Sequence, residues 1–243
     1  MMWPRRLATA AAILTAAMLV LAGVLAVVEP TRTALVSLAV GVVVGSLAAS
    51  LGILTARSPN GGLVGALLVF VGLATSITAA REVAWQVLAE RPDVAASWSW
   101  LVAVLAEGAW WVLVSVALLL LYFPDGRLPG PRWRWVPPAM IVSTTVNQVW
   151  GAMDTTPFLP PLEDLARPFP EAPFWLRIVS EVAFVLVLTL VLACAVSLAV
   201  RFRRARGVER RQITWLVLGG FGVALYPLLC LIEILVWGRT LWL

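Results

Sequence analysis

The chain has 243 residues, of which 61% are hydrophobic and 13% charged, with a mean hydropathy of +0.94. A soluble domain is typically about half apolar and about a quarter charged, so an aqueous fold of this size is excluded and a single integral membrane domain over residues 1–243 is expected. The net charge of +5 comes from 18 basic residues, all arginine, and there is no histidine; this removes the commonest metal ligand and general base, and in such a chain arginine reports topology before nucleic-acid binding.

Seven windows are apolar enough, at about 20 residues each, to cross a bilayer, and backbone groups in lipid must bond internally. The predicted fold is therefore all-α, a polytopic membrane helix bundle. Its helices lie near residues 7–28, 34–55, 63–80, 100–122, 136–153, 176–200 and 214–237. Met1-Met-Trp-Pro-Arg-Arg6 ahead of the first run has the charge of a signal peptide, but the run exceeds a usual signal core, so a retained helix is expected. The second run carries Gly41-Val-Val-Val-Gly45, with Ala49 on the same face. That small-residue stripe suits close packing of two helices in the chain or a homodimer face. Residues 81–99 predict an interfacial helix with Trp85 before Pro92.

The fourth run ends at Phe123 in the sequence Phe123-Pro-Asp-Gly-Arg127. Proline fixes φ, aspartate bonds nearby backbone and glycine accepts φ > 0, so Pro124, Asp125, Gly126 and Arg127 predict a turn between spans. Arg132 and Arg134 alternate with Trp133 and Trp135 before the fifth run. Residues 154–175 hold Pro157, Pro160, Pro161, Pro168, Pro170 and Pro173, which forbid a regular helix and favour a stiff, extended cover. The seventh run contains Gly219, Gly220, Gly222 and Pro227, and it is the one span expected to be broken. Cys194 and Cys230 lie inside apolar runs and read as small hydrophobes. No internal repeat is visible.

Orientation follows from arginine. With the N-terminus inside, twelve arginines fall on the inner side: Arg5, Arg6, Arg57, Arg127, Arg132, Arg134 and the basic cluster Arg201, Arg203, Arg204, Arg206, Arg210 and Arg211. Six remain outside. The positive-inside rule thus predicts an N-terminus inside, seven crossings and a C-terminus outside. The basic cluster reads as an anchor, with anionic lipid or a cytoplasmic partner as the alternative.

Ionisable residues within spans are costly and mark functional candidates. Three carboxylates qualify. At 1.5 Å per residue Glu107 lies roughly 10 Å below the outer surface, Glu181 roughly 8 Å and Glu233 about 6 Å. Asn147 and Gln148 fall at a similar level, and Trp110 and Trp111 follow Glu107 by three and four residues. Two readings stand. The plain one makes the tryptophans an interfacial belt and pairs Arg177 with Glu181, and Glu233 with Arg239, along their own helices. The sharper one is a ligand pocket open to the outside, floored by Glu107 and covered by the proline-rich loop.

No P-loop, HExxH, CxxC or serine–histidine pair occurs, so no enzyme, cofactor or metal is expected. The segment Leu119-Leu-Leu-Tyr-Phe-Pro-Asp-Gly-Arg-Leu-Pro-Gly-Pro-Arg-Trp-Arg134, with Trp98-Ser-Trp100 before it and Arg203-Arg-Ala-Arg-Gly-Val-Glu-Arg-Arg-Gln-Ile-Thr-Trp215 after it, resembles the N-terminal multi-spanning sensor region of actinobacterial sensor histidine kinases. The resemblance spans roughly residues 81–218 and implies a membrane module that passes signals to cytoplasmic kinase domains. These 243 residues hold no phospho-acceptor histidine, so kinase activity is not expected to carry over. A free-standing relative of the sensor region, or a truncated reading of a longer gene, is expected. The function expected is a non-catalytic sensory or regulatory module; a small transporter or channel, or a membrane assembly protein, is the alternative. The expected partners are the lipid bilayer, a cytoplasmic or membrane signalling protein and a second copy of the chain, with no nucleic acid.

Overall fold

A computed structural model describes residues 3–58 and 61–204. The predicted seventh helix, with Glu233 and Cys230, lies outside the described residues, as do Arg206, Arg210 and Arg211. Every regular element among the described residues is helical. Five segments are long and apolar enough to cross a membrane: 6–28, 32–57, 62–89, 99–122 and 174–203. The fold is that of a membrane-embedded helical bundle.

Helix α1 (Trp3–Val28) is followed by a second span built in three pieces. These are α2 (Arg32–Val40), a π-helical turn (Gly41–Gly45) and α3 (Ser46–Arg57). Thr31 caps α2 by accepting a bond from the Ala34 amide at 3.1 Å. Helix α4 (Gly62–Ala89) is the hub and touches α1, α2, α3 and α7 (Ala109–Tyr122). Its fit to the second span depends on missing side chains. A Cβ on Gly72 would lie 2.6 Å from the Gly45 carbonyl oxygen, and one on Gly65 would lie 2.3 Å from the Ala56 nitrogen. The glycine stripe is therefore occupied by α4 of the same chain. That settles the close-packing reading for these residues and leaves the stripe no free face for a second copy.

The third span is longer than predicted. Helix α4 runs unbroken through Arg81 and Trp85 to Ala89, so no separate interfacial helix begins at residue 81. Only the short α5 (Pro92–Ser97), started by its proline, follows. The fourth span, predicted as continuous, is divided into α6 (Ser99–Leu105) and α7, and the break predicted for the seventh lies outside the described residues. Next come a 3-10 turn (Pro131–Trp135), α8 (Val136–Ala152) and α9 (Phe174–Arg204). Trp110, Val114, Leu118, Met140, Val187 and Val191 form the largest core cluster, where α7, α8 and α9 meet.

The proline-rich segment between α8 and α9 contains no helix. It folds over one end of the bundle, burying Phe158 and Leu162 against Trp85, Val102, Ala103 and Ala152. The bundle thus has a loop end and a hinge end. Ala8 and Ala56 meet near the hinge end, where a Cβ on Gly126 would sit 3.6 Å from Leu63. Ala26, Ala34, Ala80 and Val83 meet near the loop end.

Candidate functional site

The fourth span breaks at Ala106-Glu107-Gly108. The amides there reach back three residues rather than four: Ala106 to Ala103, Gly108 to Leu105 and Trp110 to Glu107. A continuous helix would use the carbonyls of Val104, Leu105 and Ala106 in its own ladder, and an apolar interior cannot leave such groups unpaired. Side chains from two other helices take them up. The Arg81 guanidinium donates from one Nη1 to Leu105 O and to Ala106 O, both at 2.9 Å. Gln148 on α8 donates its amide to Val104 O and accepts from the Trp111 indole at 3.1 Å. It therefore grips both sides of the break.

Glu107 sits on the break, half-buried, and accepts from the Trp110 indole at 2.9 Å. Gly151 of α8 lies hard against it, since a Cβ there would be 2.4 Å from Glu107 Cγ. Arg81 is 9% exposed, pairs with Glu82 and stacks 4.7 Å over the Trp85 ring. Arg167 reaches in from the proline-rich loop. It donates to Gly151 O at 3.1 Å and to Thr156 O at 2.8 Å, and lies 3.8 Å over the Phe158 ring. Burial lowers the Arg167 pKa from its usual value, while the negative charges of Asp154 and Glu107 act in the opposite direction. The result is a packed polar node: Arg81, with its partner Glu82, and Gln148 bond the carbonyls of the break, and Glu107 and Arg167 lie beside it.

Of the residues predicted for a pocket, Glu107, Trp110, Trp111 and Gln148 converge here. Asn147 points instead toward α9, accepting from Ser180 Oγ at 2.7 Å. Its Nδ2 and the neighbouring Thr144 Oγ1 are buried without a hydrogen-bond partner. Glu181 is placed elsewhere. It pairs with Arg177 at 3.1 Å, both side chains being 65% exposed, which is the plain helix-surface pairing. Close packing at Gly151 also makes the Glu107 floor a filled contact rather than an open basin.

Arg81, Gly151 and Arg167 were missed by sequence reasoning. Arg81 carried a usable signal, because a charged residue within a span is a candidate whatever its sign. It was hidden by ending the third run at residue 80. Gly151 and Arg167 had no local signal, since their roles exist only across α8 and its loop. Among the described residues no group of three or more acidic, histidine or cysteine side chains could hold a metal.

The hinge forms a second constellation. Gly126 takes φ +71°, its amide bonds Tyr122 O at 2.8 Å, and Asp125 Oδ1 accepts from the Arg127 amide at 3.2 Å. Arg201, near the end of α9, inserts into this turn. It donates to Phe123 O at 2.5 Å and Arg127 O at 2.6 Å, and lies 3.4 Å from Asp125. Arg203 is exposed beside it. Compared with family models, curated proteins and solved structures, the chain matches none.

Proposed function

We propose that the chain is a non-catalytic sensory or regulatory module of the cytoplasmic membrane, crossing it seven times with the N-terminus inside and the C-terminus outside. In this reading the polar node at Glu107 receives the stimulus and α9 carries its effect to the hinge. The observation that carries the reading is the seating of Arg201 in the Phe123–Arg127 turn. It joins the hinge motif to the start of the basic cluster, and the hinge and the residues from Arg203 onward are two of the three segments that carry the resemblance to sensor regions. The same helix meets α8 through Ser180 and Asn147, roughly 30 Å away at 1.5 Å per residue. A single rigid rod therefore touches both ends of the bundle.

Charge distribution supports the orientation. Among the described residues the hinge end carries Arg5, Arg6, Arg57, Arg127, Arg132, Arg134, Arg201, Arg203 and Arg204 against Asp125 alone, and the other ten acidic residues lie toward the loop end. The positive-inside rule puts the hinge end in the cytoplasm. A photo-crosslinker at Pro129, exposed on the hinge, tests the function in native membranes. The expected product is an adduct with a cytoplasmic signalling protein whose yield changes in Glu107→Gln. Adducts with lipid alone, identical in both proteins, would sink the sensory reading.

One observation favours the transport alternative: the break in the fourth span, since interrupted helices in transporters expose backbone and a carboxylate at a binding site. Reconstituted vesicles separate the two. A proton or sodium flux that disappears in Glu107→Gln establishes transport, and its absence in the wild type excludes it.

A further inference from the structure

The 3-10 turn at residues 131–135 is two-faced. Leu128, Trp133 and Val136 pack against the core cluster of α7, α8 and α9. That fixes the turn and leaves Arg132, Arg134 and Trp135 exposed on its other side, with Trp135 66% accessible. The Arg134 guanidinium lies 5.2 Å from the Trp135 ring centre. Arg127 and Arg203 are exposed at the same end. None of these four arginines forms an ion pair among the described residues. Among the described residues the one carboxylate of that end, Asp125, is occupied by Arg201 and by the Arg127 amide. The turn immediately precedes α8, level with the ends of the apolar segments at Arg6, Arg57 and Tyr122.

We infer that this face is a binding site for the phosphate head groups of anionic phospholipids, formed by Arg127, Arg132, Arg134 and Arg203, with Trp135 as its interfacial anchor. Unpaired guanidiniums supply planar, paired donors that match a phosphate. An indole beside them suits the boundary between acyl chains and water. A basic segment directly at the end of a span is attracted to anionic lipid within a Debye length. A soluble acidic partner would meet the same charges, but it would leave Trp135 without an apolar surface. The inference rests on the fold alone and is independent of the sensory reading.

The full chain in nanodiscs of phosphatidylcholine containing a minor share of phosphatidylglycerol provides the test, because both leaflets are then alike and orientation does not matter. Lipids that remain bound are counted by native mass spectrometry. Phosphatidylglycerol is expected to be enriched over its bulk share, and the enrichment to fall several-fold in Arg132→Gln/Arg134→Gln. It should persist in Arg91→Gln/Arg177→Gln, which removes two exposed arginines from the loop end. A wild-type control at raised salt keeps the test decisive where the double variant is poorly produced: enrichment should weaken as salt rises. Equal enrichment in both double variants overturns the assignment, as does no enrichment in the wild type. If the wild type shows none and Arg132→Gln/Arg134→Gln instead loses capture of an acidic protein, the face belongs to a protein partner.

Discussion

Arg81 shows how one side chain makes an otherwise forbidden backbone tolerable. Two carbonyls freed at the break share its guanidinium, and the break would be costly without it. Arg81→Ala leaves the Ala106 carbonyl without its donor, at about 1–3 kcal/mol, while Leu105 O keeps the Gly108 amide. The expected outcome is a clear drop in the thermal midpoint of the detergent-solubilised protein, with Arg81→Lys recovering part of it. Glu107 behaves differently. Glutamine retains an oxygen for the Trp110 indole, so Glu107→Gln should unfold within about 1 kcal/mol of the wild type. A stable Glu107→Gln protein with altered crosslinking or flux then reports function and not folding. Gly151→Ala drives a methyl into Glu107 and should cost about 1–3 kcal/mol by overpacking. A wild-type midpoint for Gly151→Ala would show that the contact is looser than drawn.

At the scale of elements, the pairing of the second span with α4 is set by absent side chains. Gly72→Ala places a Cβ 2.6 Å from the Gly45 carbonyl oxygen and 3.0 Å from the Ala49 nitrogen, and backbone cannot move aside cheaply. Gly23 in α1 has nothing within 4 Å of its would-be Cβ, so Gly23→Ala serves as the matched control. Denaturation in detergent should show Gly72→Ala losing about 2 kcal/mol or more. Gly23→Ala should be neutral or stabilised by up to about 1 kcal/mol from helix propensity. The same spacing was legible in the sequence as a small-residue stripe, but a stripe does not name its partner. The continuation of α4 past residue 80 was less legible. Arg81 and Glu82 interrupt the apolar run, and the helix continues through them with Arg81 buried against the break and Trp85 and paired with Glu82.

For the whole molecule, α9 ties the hinge turn to α8 at the opposite end of the bundle. Releasing its hinge-end grip with Arg201→Ala removes donors to Phe123 O and Arg127 O. Hydrogen exchange at the Gly126 and Arg127 amides should then accelerate, and amides around the Glu107 break should lose protection with them, the behaviour a signalling helix requires. Acceleration confined to the hinge would count against transmission along the rod. Charge asymmetry acts at this scale too. A reporter fused after Leu243 and active only in the cytoplasm would overturn the proposed orientation.

Composition, the spacing of apolar runs and turn chemistry determined by themselves that the chain is a helical membrane protein, where most of its helices lie and how the Phe123–Arg127 turn is made. These are local properties: an apolar run needs only lipid around it, and proline, aspartate and glycine act on their own backbone. Proline density likewise foretold a segment without helix after residue 154. Tertiary structure alone decided that the fourth span breaks, because the break survives only where Arg81 and Gln148 arrive from other helices to bond its carbonyls. It also separated Glu181 from Glu107, carboxylates of equal standing in the sequence. Depth along a helix follows from counting residues, whereas the face a side chain presents to its neighbours depends on how the helices pack.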